Sequence, residues 1–111
     1  MTRLTTHVLD IARGVPAAGL TLRLYALDGE ARRLVSEQQT NGDGRTAEPI
    51  GIDLASGTYE IVFAVGPYFA EGATPTLYDE IPVRFTLDAE REHHHIPLLL
   101  SPWGYSTYRG S

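Results

Sequence analysis

Apolar and polar residues alternate with a period of two along most of the chain, and no long stretch repeats apolar residues at helical spacing. The pattern predicts a mainly β protein. Strands are expected over Leu4–Ile11, Leu20–Leu27, Ala31–Thr40, Thr58–Val65, Ile81–Leu87, His93–Leu100 and Tyr105–Arg109. Between the first two, Arg13-Gly14-Val15-Pro16-Ala17-Ala18-Gly19 should break regular pairing, because proline donates no ladder bond and glycine weakens a strand. Asp28-Gly29 reads as a tight hairpin turn needing positive φ at both central positions. In Thr58–Val65 apolar residues fall on both faces, so that strand should be largely buried. Gly66-Pro67 ends it, and Pro67–Gly72 reads as the one short helix, with proline tolerated in its first turn. About eight short strands with turns at this spacing predict an all-β, two-sheet sandwich.

The chain has 111 residues, 42% of them hydrophobic, which suits one domain spanning residues 1–111. Fourteen acidic residues against nine basic ones give a formal charge of −5, the wrong sign for neutralising nucleic-acid phosphates. All nine basic residues are arginine, so a Schiff-base lysine and the P-loop lysine are excluded. Cysteine is absent, which removes disulfides, thiolate nucleophiles and cysteine-based metal sites. No apolar run is long enough to span a bilayer, and the polar opening Met1-Thr2-Arg3-Leu4-Thr5-Thr6-His7 lacks a signal-peptide core. A soluble cytoplasmic protein without a membrane partner is the expectation.

Chemistry is left to four histidines, the arginines, the carboxylates and five serines. Alternation puts His93 and His95 on one face of their strand and His94 on the other, with Ile96 and Leu98. Two histidines two apart on one strand chelate a metal only with ligands from elsewhere, and singly each reads as a packed or hydrogen-bonded residue. His7, on a half-buried strand, reads alone as structural. Asn41-Gly42-Asp43-Gly44 is a dense turn that displays Arg45 on a loop tip or at the start of a short strand. Ser106 lacks the second glycine of a nucleophile elbow. Asp53, Glu60, Asp79 and Glu80 have no dyad spacing and are assigned to solvent.

Three blocks carry a resemblance. His93-His94-His95-Ile96-Pro97-Leu98-Leu99-Leu100-Ser101-Pro102-Trp103-Gly104-Tyr105-Ser106-Thr107-Tyr108-Arg109-Gly110-Ser111 resembles the C-terminal run of the transthyretin-related 5-hydroxyisourate hydrolases, which end in the same Tyr-Arg-Gly-Ser. Leu4-Thr5-Thr6-His7-Val8-Leu9-Asp10 with Gly14-Val15-Pro16-Ala17 is similar to their start, and Thr40-Asn41-Gly42-Asp43-Gly44-Arg45-Thr46 to their central turn. His94 stands where that family commonly has tyrosine, and Tyr78–Val83 departs from its usual aromatic-proline pattern.

The resemblance implies a transthyretin-like sandwich of eight strands and a homotetramer built as a dimer of dimers, with active sites in the channel where the dimers meet. It places His7, Arg45, His95 and Ser111 as catalytic residues and Tyr108 as a substrate contact, with His93 a neighbour on the same face. It further implies water addition to a ring carbonyl of 5-hydroxyisourate, giving 2-oxo-4-hydroxy-4-carboxy-5-ureidoimidazoline in purine degradation. Such chemistry needs a base for the water, a holder for the oxyanion and an acid for the leaving nitrogen. One histidine of His7 and His95 would be the base and the other would bind substrate or relay the proton, with the assignment open. Arg45 would grip the anionic, planar substrate through its fork of donors. Ser111 would orient water or touch the substrate, with an acyl-serine route as the other possibility. No metal or organic cofactor is required. Transthyretin, which carries a hormone in the corresponding channel without hydrolysing it, is the alternative class, and a purely structural sandwich is another.

Overall fold

Strand β1 (Arg3–Asp10) shows how the alternating pattern folds: Leu4, Thr6, Val8 and Asp10 are buried, while Thr5, His7 and Leu9 lie half-buried on the opposite face. The computed structural model describes residues 2–111, so of the expected domain only Met1 lies outside the described residues. It contains β2 (Val15–Pro16), β3 (Thr21–Asp28), β4 (Ala31–Gln39), β5 (Gly51–Ile52), β6 (Gly57–Phe63), α1 (Val65–Glu71), β7 (Ile81–Leu87), β8 (His93–Ser101) and β9 (Gly104–Thr107). One sheet runs β2-β1-β8-β9 with β5 also paired to β1, and the other runs β4-β3-β6-β7. All pairings are antiparallel except β1 with β8, which lie parallel with Thr5 opposite His95 and His7 opposite Pro97.

The two-sheet, all-β expectation holds, with local differences. Val15–Pro16 does pair, against Leu9 and Asp10, so the stretch expected to break pairing holds a two-residue strand. A second one, Gly51–Ile52, pairs with Arg3 and Leu4. The first folds back on β1 through the local turn that Gly14 N–H closes onto the Asp10 carbonyl at 2.8 Å, and the second depends on β1 from far along the chain. In the hairpin joining β3 to β4, Asp28 pairs with Ala31, so the central residues are Gly29 and Glu30 and only Gly29 takes positive φ. The glycine does the turning from the first central position. The helix begins at Val65, two residues earlier than expected, with buried Val65 and Phe69 on its inner face.

Leu4, Val8, Leu22, Leu24, Ile61, Phe63, Ile81, Leu98 and Leu100 fill the space between the sheets. The fully buried leucines are each worth about 1.5–3 kcal/mol by removal of apolar surface from water. Glu60 corrects an expectation. It is not solvent-exposed but 9% accessible on the central strand β6, flanked in register by Tyr25 and Arg84. Its carboxylate accepts from Arg84 Nη2 at 3.2 Å and pairs with Arg32 Nη1 at 3.9 Å, and these charges offset its desolvation.

Candidate active site

The site grows from the turn after β4. Asn41 Oδ1 accepts from the backbone N–H of Asp43 at 2.9 Å and of Arg45 at 3.3 Å, while the Asn41 N–H donates to the Arg45 carbonyl at 2.7 Å. This clamp fixes the main chain at Arg45 from both sides. Gly44 sits at φ +73°, its carbonyl accepts from Val8 N–H at 2.8 Å, and a side chain there would run into the Val8 carbonyl. Only glycine lets the turn lie this close to β1. His7 Cδ2 borders the same spot, 3.2 Å from where a Gly44 Cβ would stand. The chain then crosses to β1, held by Gln38 Nε2 donating to the Glu48 and Pro49 carbonyls at 3.1 and 3.2 Å and by Ile50 N–H donating to Leu4 at 2.9 Å.

The second wall is the outer face of β1 and β8. His93 is exposed, His95 half-buried, and their rings lie 6.1 Å apart. His94 points inward as expected and is buried, its Nε2 2.8 Å from the Asp88 carbonyl. The third wall is the C-terminal segment. Gly110 N–H donates to the His95 carbonyl at 2.7 Å, and a Gly110 Cβ would stand 2.6 Å from His95 Cδ2. Glycine is what allows the last residues to press against the ring.

These walls enclose a cavity of about 390 Å³ in which Arg45, His95 and Ser111 meet His93, Thr5 and Arg3. His7 stands outside that lining, one pleat along β1 from Thr5, yet close enough for its charge to act on His95. Tyr108 is also outside the lining, 55% exposed, just past the end of β9. The structure thus gathers Arg45, His95 and Ser111 into one cavity, with His7 near enough to act on His95 and Tyr108 exposed outside the lining. Thr5, Arg3 and the segment Thr46–Pro49 are lining residues that reading the sequence missed. Thr5 is found only once the parallel register places it opposite His95.

Burial pushes the His95 imidazole below its ordinary value of 6.5, and repulsion from the Arg45 guanidinium and, where they carry a proton, from the His93 and His7 rings pushes the same way, with a hydrogen bond to the Thr5 backbone opposing. A neutral imidazole beside a fixed guanidinium is a base next to an anion holder. Among the described residues no group of three or more His, Asp or Glu side chains is disposed to hold a metal ion. A larger cavity of about 720 Å³ lies at the Asp10 end of β1 and holds none of the expected site residues. Its buried carboxylate is already engaged, with Asp10 accepting from Tyr68 Oη at 2.7 Å and from Arg13 N–H at 3.1 Å.

Residues 4–110 match the HIUase/Transthyretin family. The chain belongs to that family. The 5-hydroxyisourate hydrolase 2 of Rhizobium meliloti (strain 1021) is 50% identical over 98% of this chain and 96% of its own length. Among solved structures, the 5-hydroxyisourate hydrolase of Klebsiella pneumoniae superposes with a TM-score of 0.85 at 35% identity, covering 100% of this chain and 94% of that one. An (S)-allantoin synthase gives 0.90 at 44% identity over 99% of this chain, which spans 44% of the synthase. Sea bream transthyretin in complex with thyroxine gives 0.91 over 97% of this chain and 94% of its own, but at 22% identity it speaks to the fold alone. The family's description joins HIUase and transthyretin, and the side chains in the cavity have to separate them. No helix among the described residues is long and apolar enough to cross a membrane.

Proposed function

We propose that this chain is a 5-hydroxyisourate hydrolase. It adds water to a ring carbonyl and opens the six-membered ring to 2-oxo-4-hydroxy-4-carboxy-5-ureidoimidazoline. The observation that carries this is the meeting of Arg45, His95 and Ser111 in one cavity, with His7 within electrostatic reach, in a chain half identical to a hydrolase of that name.

Arg45 has five donors in a rigid fork, is exposed at the cavity, and has its backbone clamped by Asn41. It suits the anionic, planar substrate and the oxyanion that forms when water attacks. His95 is the base, since burial and the Arg45 guanidinium lower its pKa and so favour the unprotonated imidazole. His7, behind the Gly44 turn, binds substrate or passes a proton. Ser111 orients the water, and Tyr108 contacts substrate from the open face. Direct water attack needs no acyl-serine intermediate, and none of these steps calls on a metal or organic cofactor. The site forms part of a homotetramer, assembled as a dimer of dimers around the outer face of β1, β8 and β9.

The test generates 5-hydroxyisourate in place with urate oxidase and follows its ultraviolet decay with the protein and with His95→Ala. Acceleration by the wild type that the variant loses, with unchanged assembly, is the expected result. Decay at the spontaneous rate with folded wild-type protein would refute the hydrolase and favour a carrier, checked by titrating small aromatic acids.

A further inference from the structure

Thr5 stands between two imidazoles. Its Oγ1 is 2.9 Å from His93 Nε2 and 2.8 Å from His95 Nδ1. A hydroxyl carries one proton, so it can donate to only one of these rings, and at least one ring must present an N–H to it. The arrangement that satisfies all three groups has Thr5 accepting from one ring and donating to the other. The protonation sites of His93 and His95 are then tied together.

The direction follows from where each ring lies. His95 lines the cavity with Arg45, and because Nδ1 is engaged by Thr5, any base chemistry falls to Nε2 on the far side of the ring. A neutral ring with bare Nε2 carries its proton on Nδ1, which donates to Thr5. The Thr5 proton then points at His93 Nε2, and His93 holds its own proton on Nδ1. We propose that Thr5 is a positioning residue of the hydrolysis, one that holds His95 in this form and relays a proton between His95 and His93. The inference rests on the hydrolase reading above.

The step balances. As water attacks the carbonyl carbon, its proton goes to His95 Nε2 and the carbonyl electron pair moves to the oxygen held by Arg45. The Nδ1 proton passes to Thr5 Oγ1 while the Thr5 proton passes to His93 Nε2. The positive charge now sits on exposed His93. His95, neutral again with its proton on Nε2, gives that proton to the ring nitrogen as the carbon–nitrogen bond breaks. The relay runs back and restores the starting forms.

The surroundings favour moving the charge outward. His95 shares its cavity with Arg45 and Glu48 from the β4–β5 connection, Arg3 from β1, His93 on its own strand and Ser111 from the C-terminal segment, and Arg45, His93 and His7 are near enough to act on its charge. The half-buried His95 ring is costly to charge, and Arg45 is the largest charge acting on it and disfavours a second cation, whereas His93 is open to water, which solvates a cation well.

The experiment combines nitrogen-15 NMR of the imidazoles with kinetics of wild type, Thr5→Val and Thr5→Ser. In wild type both His93 and His95 should carry the neutral-form proton on Nδ1, and Thr5→Val should release that constraint. Thr5→Val should lower kcat by roughly tenfold to a hundredfold, within the range for proton-transfer catalysis, with KM changed less than about twofold. Thr5→Ser should restore kcat to within about threefold and return both tautomers. A wild-type His95 protonated at Nε2, or a Thr5→Val protein as fast as wild type, overturns the relay. If wild type does not accelerate decay at all, the hydrolase reading and the relay's catalytic use fall together. The NMR spectrum needs no substrate, so should Thr5→Val not fold, the wild-type tautomers and the Thr5→Ser kinetics still decide.

Discussion

The surroundings of His95 push its pKa downward, chiefly through burial, and the sign of that effect sets two pH dependences. Its folded-state pKa lies below 6.5, so the ring remains a base into more acidic solution than a free histidine would. Between the folded value and 6.5 the unfolded chain binds more protons, so the ring's contribution to stability is complete above 6.5 and is lost as pH falls through the folded pKa. Arg45→Gln removes one of the charges that lower it. The His95 titration followed by NMR should then move up toward 6.5, and the acid limb of kcat/KM should move with it. The same variant should lose on the order of a hundredfold to a thousandfold in kcat/KM, the usual cost of an oxyanion donor. An unshifted titration would remove Arg45 from the neighbourhood of the base. Gly110 offers a separate handle, since a methyl group there stands 2.6 Å from His95 Cδ2. Gly110→Ala should tilt the ring and cost on the order of a hundredfold in kcat/KM, as small misplacements of catalytic groups do. It lies in an exposed terminal segment, so the melting temperature should scarcely change; a large fall in Tm with kcat/KM intact would contradict this.

Between elements, single buried hydroxyls join pieces of chain that lack regular pairing. Thr40 Oγ1 donates to the Ala17 carbonyl at 2.6 Å and accepts from Leu20 N–H at 3.0 Å, tying the end of β4 to the β2–β3 connection. Thr40→Val keeps the shape but leaves both backbone groups buried without partners, at a cost of about 1–3 kcal/mol. Urea unfolding should show it as a lower midpoint at unchanged slope, and a midpoint within error of wild type would mean that water replaces the hydroxyl. Local pattern made the long strands legible, because alternation in Arg3–Asp10 and Ile81–Leu87 reports directly which face is covered. It could not show the two-residue strands, whose existence depends on β1 being alongside. Nor could it show that Glu60 is buried, since its cover comes from Arg84 on a neighbouring strand and Arg32 across β3. Within the site, His95 and Arg45 were visible through the resemblance of their motifs. Thr5 was not, because nearly ninety residues separate it from the histidines it bridges and only the parallel pairing of β1 with β8 joins them.

At the scale of the molecule, the distribution of exposed apolar side chains bears on assembly. Leu77, Trp103 and Tyr105 are all exposed, and they gather where Leu77 N–H donates to the Pro102 carbonyl and the Tyr105 ring meets Tyr78 edge-on at 5.2 Å. Contiguous apolar surface of this kind on a small domain marks a contact face, and it adjoins β9, an edge strand with unpaired backbone groups. The proposed tetramer covers this region, and the cavity beside His95 opens on the same sheet. Assembly should therefore matter to catalysis as well as to solubility. Sedimentation at micromolar concentration should give four times the 12.2 kDa protomer mass. Trp103→Asp places a charge on the contact face and should yield smaller species with the β spectrum in circular dichroism preserved. Its kcat/KM should fall by about tenfold or more, because a cavity left open to water weakens every charge interaction within it. If Trp103→Asp sediments as a protomer with undiminished turnover, the active site is complete within one chain and the neighbouring subunits contribute nothing to it.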